Sequence, residues 1–325
     1  MSELPLCGWV PIRLFWQGSE PLVEWCYLGR ERFTHPFFDS TIQLALQRPF
    51  NGLFRQHTTM ATLGEWSRRS PGMPPSGFIF HMSRCGSTVV SQMMAALTKH
   101  VVVSEAGPLD ALARAHLRAP LVNVEQRIEW LRGMVSALGQ QRAGCEERYF
   151  IKFDARTTFE LPLLRQAFPE VPWIFLYRDP VEVLVSLAGR PSTMTTPGME
   201  HLLGLPMSRN TGIPMEQHAA QILGLLCETA GRQFPDERGM LVNYRQIPEV
   251  AWERLPERFG FTLPAGAMEL MKTAAGFDAK NRNRRFEGDS ARRQAEASEE
   301  IRRAAERWVV PAYKRLEELR VQGLA

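Results

Sequence analysis

The stretch GFIFHMSRCGSTVVSQ, at residues 77–92, places a cation, a glycine and hydroxyl side chains between an apolar run and a helical pattern. The apolar run at residues 78–80 predicts a short buried strand. The pattern from residue 88 to residue 100 predicts a helix, for which Ser87 or Thr88 suits the N-cap. A helix N-terminus directs several backbone N–H groups and the positive end of the helix dipole at one point. We therefore expect an anion to bind at this turn.

The turn itself, at residues 82–87, adds a fixed charge. Arg84 supplies a guanidinium, and Gly86 lets the backbone approach a ligand closely. The pattern G-x-x-x-x-G-K-[ST] of nucleoside-triphosphate P-loops is absent, because the turn has neither the first glycine nor a lysine before its hydroxyl residues. The turn predicts a phosphate-binding loop of another kind.

Further charged residues follow the strands that the sequence predicts after this turn. They are Glu105 after a strand at 101–104, Lys152 in a strand at 148–153 and Arg178 after a strand at 172–177. Ligands of parallel sheets bind beyond the carboxyl ends of the strands, so we expect these side chains to meet Arg84 at one edge. Ser186 lies eight residues after Arg178, in a predicted helix, and its hydroxyl can face the same anion. An acid, three cations and an anion-binding helix indicate a group-transfer site for a highly charged donor.

These side chains require a scaffold of alternating strands and helices, and the sequence predicts one. The alternation after residue 75 indicates an α/β fold with a doubly wound, mostly parallel sheet over residues 75–290. A segment rich in proline and glycine separates it from a small β-containing N-terminal extension, residues 1–74. Residues 291–325 are expected to form one long amphipathic helix that packs on the body or joins two subunits of a homodimer.

Composition narrows the class of protein. The chain has 325 residues, a net charge of +4 and 23% charged residues, without a basic cluster typical of nucleic-acid binding. It has no apolar run long enough to span a membrane, and its five scattered cysteines include no C-x-x-C pair that would suggest zinc or a disulfide framework. We expect a cytoplasmic protein that binds neither nucleic acid nor a metal.

The order and spacing of these residues resemble those of sulfotransferases that use 3′-phosphoadenosine 5′-phosphosulfate (PAPS), especially bacterial relatives of the tyrosylprotein sulfotransferases. The family's (K/R)-S-G-T-T loop stands here as RCGST at residues 84–88, with Cys85 in place of serine and Ser83 in place of the usual preceding proline. The family's R-x-P-x-x-x-x-x-S motif runs here from Arg178 to Ser186. The resemblance covers residues 76–290 and implies a P-loop-like sulfotransferase fold.

The resemblance also implies a role for each motif residue. The 5′-phosphosulfate would be held by Arg84 and by the backbone of Cys85, Gly86, Ser87 and Thr88. Arg178 and Ser186 would bind the 3′-phosphate, Glu105 would accept the proton of the acceptor, and Lys152 would stabilise the leaving group. PAPS would then be the donor and adenosine 3′,5′-bisphosphate the product, with no metal required.

Two further elements match the family less closely. Tyr244 resembles a tyrosine that lines the nucleotide site, although the glutamate that follows it in the family is Arg245 here. The basic segment at residues 278–289 resembles a loop that closes over the nucleotide. Its Lys280 and Arg284 are candidate ligands, and Phe286 could stack on adenine.

The acceptor stays open at this point: a small molecule, a glycan or a peptide could supply the hydroxyl or an amine. The long segment at residues 190–215 is typical of a substrate loop, and His201 and His218 are candidate acceptor contacts. Two alternatives compete with a sulfotransferase. The first is a nucleotide-dependent kinase, but the Gly-Lys pair of a kinase P-loop is missing from this sequence. The second is a non-catalytic nucleotide-binding module, which would have no use for Glu105 and Lys152 together.

Overall fold

A computed structural model describes residues 6–18, 20–205, 212–234, 236–278, 281–285 and 288–323. Its strands are β1 (Trp9–Gln17), β2 (Glu20–Tyr27), β3 (Gln56–Thr59), β4 (Gly77–His81), β5 (His100–Ser104), β6 (Arg148–Lys152), β7 (Trp173–Tyr177), β8 (Gly239–Asn243), β9 (Phe277–Asp278) and β10 (Asn281–Arg285). They form one five-stranded sheet, one three-stranded sheet and a two-stranded hairpin.

Helices cover both faces of the larger sheet. They are α1 (Phe38–Leu46), α2 (Pro49–Leu53), α3 (Met60–Arg69), α4 (Ser87–Ala95), α5 (Gly107–Ala113), α6 (Ala115–Arg118), α7 (Val124–Leu138), α8 (Leu161–Ala167), α9 (Pro180–Gly189), α10 (Met215–Gln233), α11 (Val250–Glu253), α12 (Leu255–Arg258), α13 (Ala267–Ala275), α14 (Ser290–Glu296), α15 (Glu299–Trp308) and α16 (Val310–Gln322). Short 3₁₀ helices lie at Ala155–Glu160, Thr193–Thr195, Glu200–Leu203 and Tyr244–Gln246. No helix within the described ranges combines the length and apolarity that crossing a membrane requires.

The five-stranded sheet has the order β5-β6-β4-β7-β8, and every pairing in it is parallel. All residues of β4, β5, β7 and β8 are buried, as expected for strands covered by helices on both faces. The chain lays β5 and β6 on one side of β4, then β7 and β8 on the other, so the strand order reverses between β4 and β7. The predicted doubly wound α/β fold is confirmed, and its ligand crevice is expected at this reversal.

The N-terminal extension forms an antiparallel sheet of order β1-β2-β3. Trp25 donates its indole N–H to Thr58 across a distance of 2.8 Å inside this sheet. Arg32 reaches the main domain, where its guanidinium donates to the carbonyls of Ala95 and Leu97 at the end of α4. The extension therefore packs on the α/β body and supplies hydrogen-bond donors to carbonyls at and just beyond the C-terminus of α4.

The prediction of one long C-terminal helix is wrong, because three helices, α14 to α16, occupy that segment. Ala297 has an extended backbone, and the hydroxyl of Ser298 accepts a hydrogen bond from the N–H of Ile301, which caps a new helix. Pro311 lies in the first turn of α16, where its missing N–H costs nothing. Both α15 and α16 pack on α10 of the body.

Candidate active site

A cleft of about 830 Å³ opens at the carboxyl ends of β4, β5, β6 and β7. Most of the candidate residues predicted from the sequence line it. These are Arg84, Cys85, Gly86, Ser87, Thr88, Glu105, Arg178, Ser186 and Tyr244. Lys152 lies directly beneath the lining, with its side chain fully buried. The sheet therefore brings three groups to one cleft. They are the turn at residues 82–87, which we call the anion loop, the carboxylate of Glu105, and the predicted 3′-phosphate residues Arg178 and Ser186.

The loop between β4 and α4 has a strained backbone. Ser83 and Arg84 adopt φ angles of 77° and 52°, in the left-handed region that non-glycine residues rarely adopt. Gly86, with φ 83°, is the N-cap of α4, so the prediction of Ser87 or Thr88 at that position is wrong. A left-handed glycine lets the chain turn sharply into the helix, which places both hydroxyl residues inside its first turn. Such a concave loop at a helix N-terminus suits an anion.

Arg84 and Cys85 point in different directions from this loop. The Arg84 guanidinium donates to the carbonyl of Arg190 at 2.9 Å, and burial, together with the charges of Arg190 and Arg293, lowers the Arg84 pKa. Cys85 is fully buried and donates from Sγ to the carbonyl of Leu176 at 3.2 Å. Burial raises the pKa of the Cys85 thiol to about 12. Cys85 can therefore offer the cleft its backbone but not its side chain.

Strand register brings Glu105 and Lys152 together. Ser104 pairs with Lys152 in the parallel ladder of β5 and β6, and the next N–H, that of Glu105, donates to the Lys152 carbonyl at 2.6 Å. The two side chains form an ion pair between Glu105 Oε1 and Lys152 Nζ. Glu105 has a left-handed φ of 57° and exposes 22% of its side chain. The carboxylate faces the cleft, and the ammonium supports it from below.

The groups around Glu105 keep its carboxylate ionised. Burial alone would raise the pKa of Glu105, but the ammonium of Lys152 and the imidazole of His81 hold it well below its usual value. Lys152 Nζ also lies 5.3 Å from the ring centroid of Phe37. The sequence pattern around Phe37 predicts a core residue and not a site residue. Phe37 lines the cleft because the extension carries it over the ends of β5 and β6.

Arg178, the predicted 3′-phosphate residue, already has carboxylate partners. Its guanidinium donates to Glu182 and to Asp289, each at 2.6 Å, and to the hydroxyl of Ser290 at 3.2 Å. Arg293 donates to the other oxygen of Asp289 at 2.6 Å. Burial lowers the pKa of Arg178, but Asp289, the Tyr244 hydroxyl and Glu182 together hold it above its usual value. The Asp289 carboxylate therefore binds the guanidinium that the sequence resemblance assigns to the 3′-phosphate.

Ser186 and Tyr244 line the same cleft as Arg178. Ser186 lies on α9, one turn after Glu182, and lines the cleft. The guanidinium carbon of Arg178 lies 3.9 Å from the ring centroid of Tyr244, a cation–π contact. A Cβ on Gly86 would come within 3.0 Å of the Tyr244 ring, so the ring also packs against the anion loop.

The basic segment at residues 278–289 does not supply the predicted cations to the described part of the cleft. Lys280 and Phe286 lie outside the described residues, and Arg284 belongs to β10, of which the backbone alone is described. Arg292 and Arg293, on α14, line the cleft instead. The sequence did contain a signal for them, since two adjacent arginines open the helical pattern just after the basic loop.

The predicted acceptor contacts do not face the cleft. His218 is buried on α10, where its Nδ1 lies 3.4 Å from a carboxylate oxygen of Glu200, and His201 is exposed outside the cleft lining. Ser192 and Met194, from the same segment, line the cleft instead. Periodicity could not reveal this difference, because residues 193–195 and 200–203 form 3₁₀ turns rather than a regular helix.

No family profile and no curated protein matches the sequence. Solved structures that resemble the chain include a sulfotransferase from Mycobacterium avium, at 12% identity over 71% of this chain and 77% of that chain, with a TM-score of 0.44. A sulfotransferase from Alicyclobacillus acidocaldarius is 12% identical over 76% and 96%, with a TM-score of 0.43. The sulfotransferase domain of the Synechococcus PCC 7002 olefin synthase is 15% identical over 76% and 95%, with a TM-score of 0.41. Likeness at this level of identity concerns the fold and not the function.

Proposed function

We propose that this protein is a sulfotransferase that moves the sulfuryl group of PAPS to an acceptor hydroxyl, or to an amine. The observation that carries the proposal is the convergence, in one cleft, of the anion loop, Arg178 with Ser186, and an ionised glutamate backed by a buried lysine. An anion site alone would suit many nucleotides. The acid and the lysine between the two anion sites are what a group-transfer reaction needs.

The donor would lie across the reversal of strand order. Its 5′-phosphosulfate would bind Arg84 and the N-terminus of α4, and its 3′-phosphate would bind Arg178 and Ser186. Arg190 and Arg293 are close enough to lower the pKa of Arg84, so this end of the cleft is strongly cationic. A cationic end matches a donor with several negative charges without a metal ion as counter-charge.

Glu105 and Lys152 would carry out the chemical step. The acceptor oxygen bonds to sulfur while the bond from sulfur to the bridging oxygen of the donor breaks, and its electron pair stays on the 5′-phosphate. The acceptor proton goes to the Glu105 carboxylate, a contribution of roughly 10²–10⁴ in rate. Lys152 would neutralise the charge that develops on the leaving oxygen. The products are a sulfate ester and adenosine 3′,5′-bisphosphate.

The ion pair with Glu105 keeps Lys152 away from the donor until the pair separates. Lys152 Nζ is buried behind the carboxylate, so it reaches the donor by leaving Glu105. A carboxylate whose ammonium partner has left is a stronger base, because the cation no longer favours its ionised form. Binding of the donor would thus prepare both groups at the same time.

Phe37 and Met194 line the cleft and are among the apolar surfaces that an acceptor would meet. Asp154 and Arg156, which follow β6, add polar groups to the lining. This combination suits an acceptor that carries both an apolar part and hydroxyl groups.

Thermal unfolding with two nucleotides tests the proposal. Adenosine 3′,5′-bisphosphate should raise Tm in proportion to its occupancy, whereas ATP with Mg²⁺ should raise it much less. Incubation with sulfur-labelled PAPS should then release labelled sulfate or label an added hydroxyl compound. Stabilisation by ATP with Mg²⁺ alone would favour a kinase. Stabilisation by the bisphosphate with no release of label above the uncatalysed rate would favour a binding module.

A further inference from the structure

His81 is a buried imidazole at the end of β4, and it stands between the anion loop and Glu105. It is 5% exposed, and its Nδ1 accepts a hydrogen bond from the Ser83 N–H at 3.1 Å. A ring nitrogen that accepts a hydrogen bond carries no proton, so the proton of the neutral ring is on Nε2. The loop backbone thereby selects one tautomer.

The other ring nitrogen faces the acid. His81 Nε2 lies 3.5 Å from Glu105 Oε1, the same oxygen that pairs with Lys152. Within the described residues, no atom completes a hydrogen bond with this buried nitrogen. Buried N–H groups nearly always have a partner, and an orphaned one at a reaction site calls for an explanation. A shift of a few tenths of an ångström would complete a bond to Glu105.

We propose that His81 is the positioning residue for Glu105: its Nε2–H holds Oε1 when Lys152 leaves the carboxylate for the donor. This inference rests on the proposed function, because Lys152 has a reason to leave only where a donor binds. Glu105 sits on a strained backbone with φ 57°, a conformation that persists only where surrounding contacts hold the residue in place. A fixed N–H donor supplies such a contact.

The imidazole also suits this role better than a second cation would. A neutral N–H stabilises a carboxylate less than an ammonium does, so it orients the base while suppressing its basicity less. The bond from Ser83 to Nδ1 ties the ring to the loop that would hold the phosphosulfate. His81 therefore connects the donor loop to the base through one rigid ring.

Two substitutions separate the two contacts of the ring. His81→Gln retains an amide N–H at the distance of Nε2, and His81→Asn retains an acceptor near Nδ1 but no donor toward Glu105. Each variant is measured for its Kd for adenosine 3′,5′-bisphosphate and for kcat of PAPS hydrolysis, in which water is the acceptor. His57→Asn, at a histidine that is 46% exposed, is the matched control.

We expect kcat to fall about 10- to 100-fold in His81→Asn, the loss typical of removing a partner that orients the ligand of a metal site. His81→Gln should lose much less, and Kd should change little in either variant. Equal losses in both variants, an unchanged kcat in His81→Asn, or a loss confined to Kd would overturn the role of His81. A wild-type protein that neither binds the bisphosphate nor hydrolyses PAPS would instead refute the proposed function.

A second readout does not depend on turnover. Two-bond proton–nitrogen spectra of histidine-labelled protein report which ring nitrogen is protonated, and the His81→Gln variant identifies the signal. We expect a neutral His81 ring protonated at Nε2, with and without the bisphosphate. A ring protonated at Nδ1 alone would overturn the proposal, because Nε2 would then have no proton to donate to Glu105.

Discussion

A carboxylate oxygen of Asp289 lies 2.6 Å from the guanidinium of Arg178, the residue that the proposed function assigns to the 3′-phosphate. The charge of Arg178, in turn, lowers the pKa of Asp289 against the effect of burial. Asp289 comes immediately before α14, whose Arg293 contacts its second oxygen. Two guanidiniums around one carboxylate form the kind of pocket in which a phosphate also binds.

Asp289→Asn should therefore strengthen binding of adenosine 3′,5′-bisphosphate. The phosphate competes with the Asp289 carboxylate for Arg178, and asparagine removes the competing charge while keeping the shape. We expect Kd to fall about tenfold, or roughly 1.4 kcal/mol, by isothermal titration. Glu296→Gln removes one charge from the same lining at an exposed position and should change Kd little. Weaker binding in Asp289→Asn would mean that Asp289 helps to build the site.

Glu105→Gln should abolish most of the turnover and leave nucleotide affinity nearly unchanged. Glutamine cannot accept the acceptor proton, so kcat should fall by roughly 10²–10⁴. Its amide oxygen still offers Lys152 a partner, which avoids the large cost of an unpaired buried ammonium. Hydrolysis of labelled PAPS and titration with the bisphosphate measure the two quantities.

Asp154→Asn is the matched control for Glu105→Gln. Asp154 also lines the cleft after a strand, and asparagine can retain its hydrogen bond from the Arg156 N–H. The control should keep most of its turnover. If Glu105→Gln retained a rate close to that of the wild type, Glu105 could not be the base.

The sequence predicted which residues meet because strand register is set by local patterns. Glu105 follows β5 and Lys152 ends β6, and both are short strands with an uninterrupted apolar centre, so parallel pairing places their ends at one edge. The paired state of Arg178 could not be predicted in this way. Its partner Asp289 is 111 residues away, and no periodicity connects a strand end to a loop at that separation.

The sequence also could not predict that the N-terminal extension contributes a side chain to the cleft. Phe37 is a large apolar residue of the kind expected in a core. Its position over Lys152 depends on how the three-stranded sheet packs on the α/β body. His81 could be located at a strand end, but its tautomer depends on the Ser83 backbone, which adopts a conformation unusual for serine. Strained sites such as this one are where local preferences predict least.

Gly86→Ala should destabilise the protein and weaken nucleotide binding together. Alanine at φ 83° is strained, and its Cβ would lie 2.9 Å from Ile247 Cδ1 and 3.0 Å from the Tyr244 ring. We expect a loss of about 1–2 kcal/mol in the free energy of unfolding, measured by urea denaturation. The bisphosphate should also raise Tm less than it does in the wild type, because the loop has to widen.

Gly52→Ala is the control for this change. Gly52 lies within α2, and an added Cβ there would meet nothing within 4 Å. Its unfolding free energy should stay the same or rise slightly, since alanine favours a helix over glycine. An unaltered stability in Gly86→Ala would show that the loop tolerates a side chain, contrary to the geometry of its close contacts.

His100 should make stability depend on pH below neutrality. It is buried at the start of β5, donates from Nδ1 to the carbonyl of Met94 at 3.1 Å, and packs against Phe150 and Phe261. Burial lowers the pKa of His100 to about 4. The unfolded chain binds a proton near pH 6.5, whereas the folded protein binds it near pH 4, so protonation favours unfolding between these values.

The free energy of unfolding should therefore fall as pH decreases from about 6.5 to 4, with His100 contributing roughly 3 kcal/mol to the loss. In His100→Phe this contribution disappears, because phenylalanine binds no proton, and the difference in stability between pH 7 and pH 4.5 should shrink by about 2–3 kcal/mol. Urea denaturation at a series of pH values measures it, with His57→Gln as an exposed control. An equal pH dependence in wild type and His100→Phe would show that His100 takes up its proton as readily when folded as when unfolded.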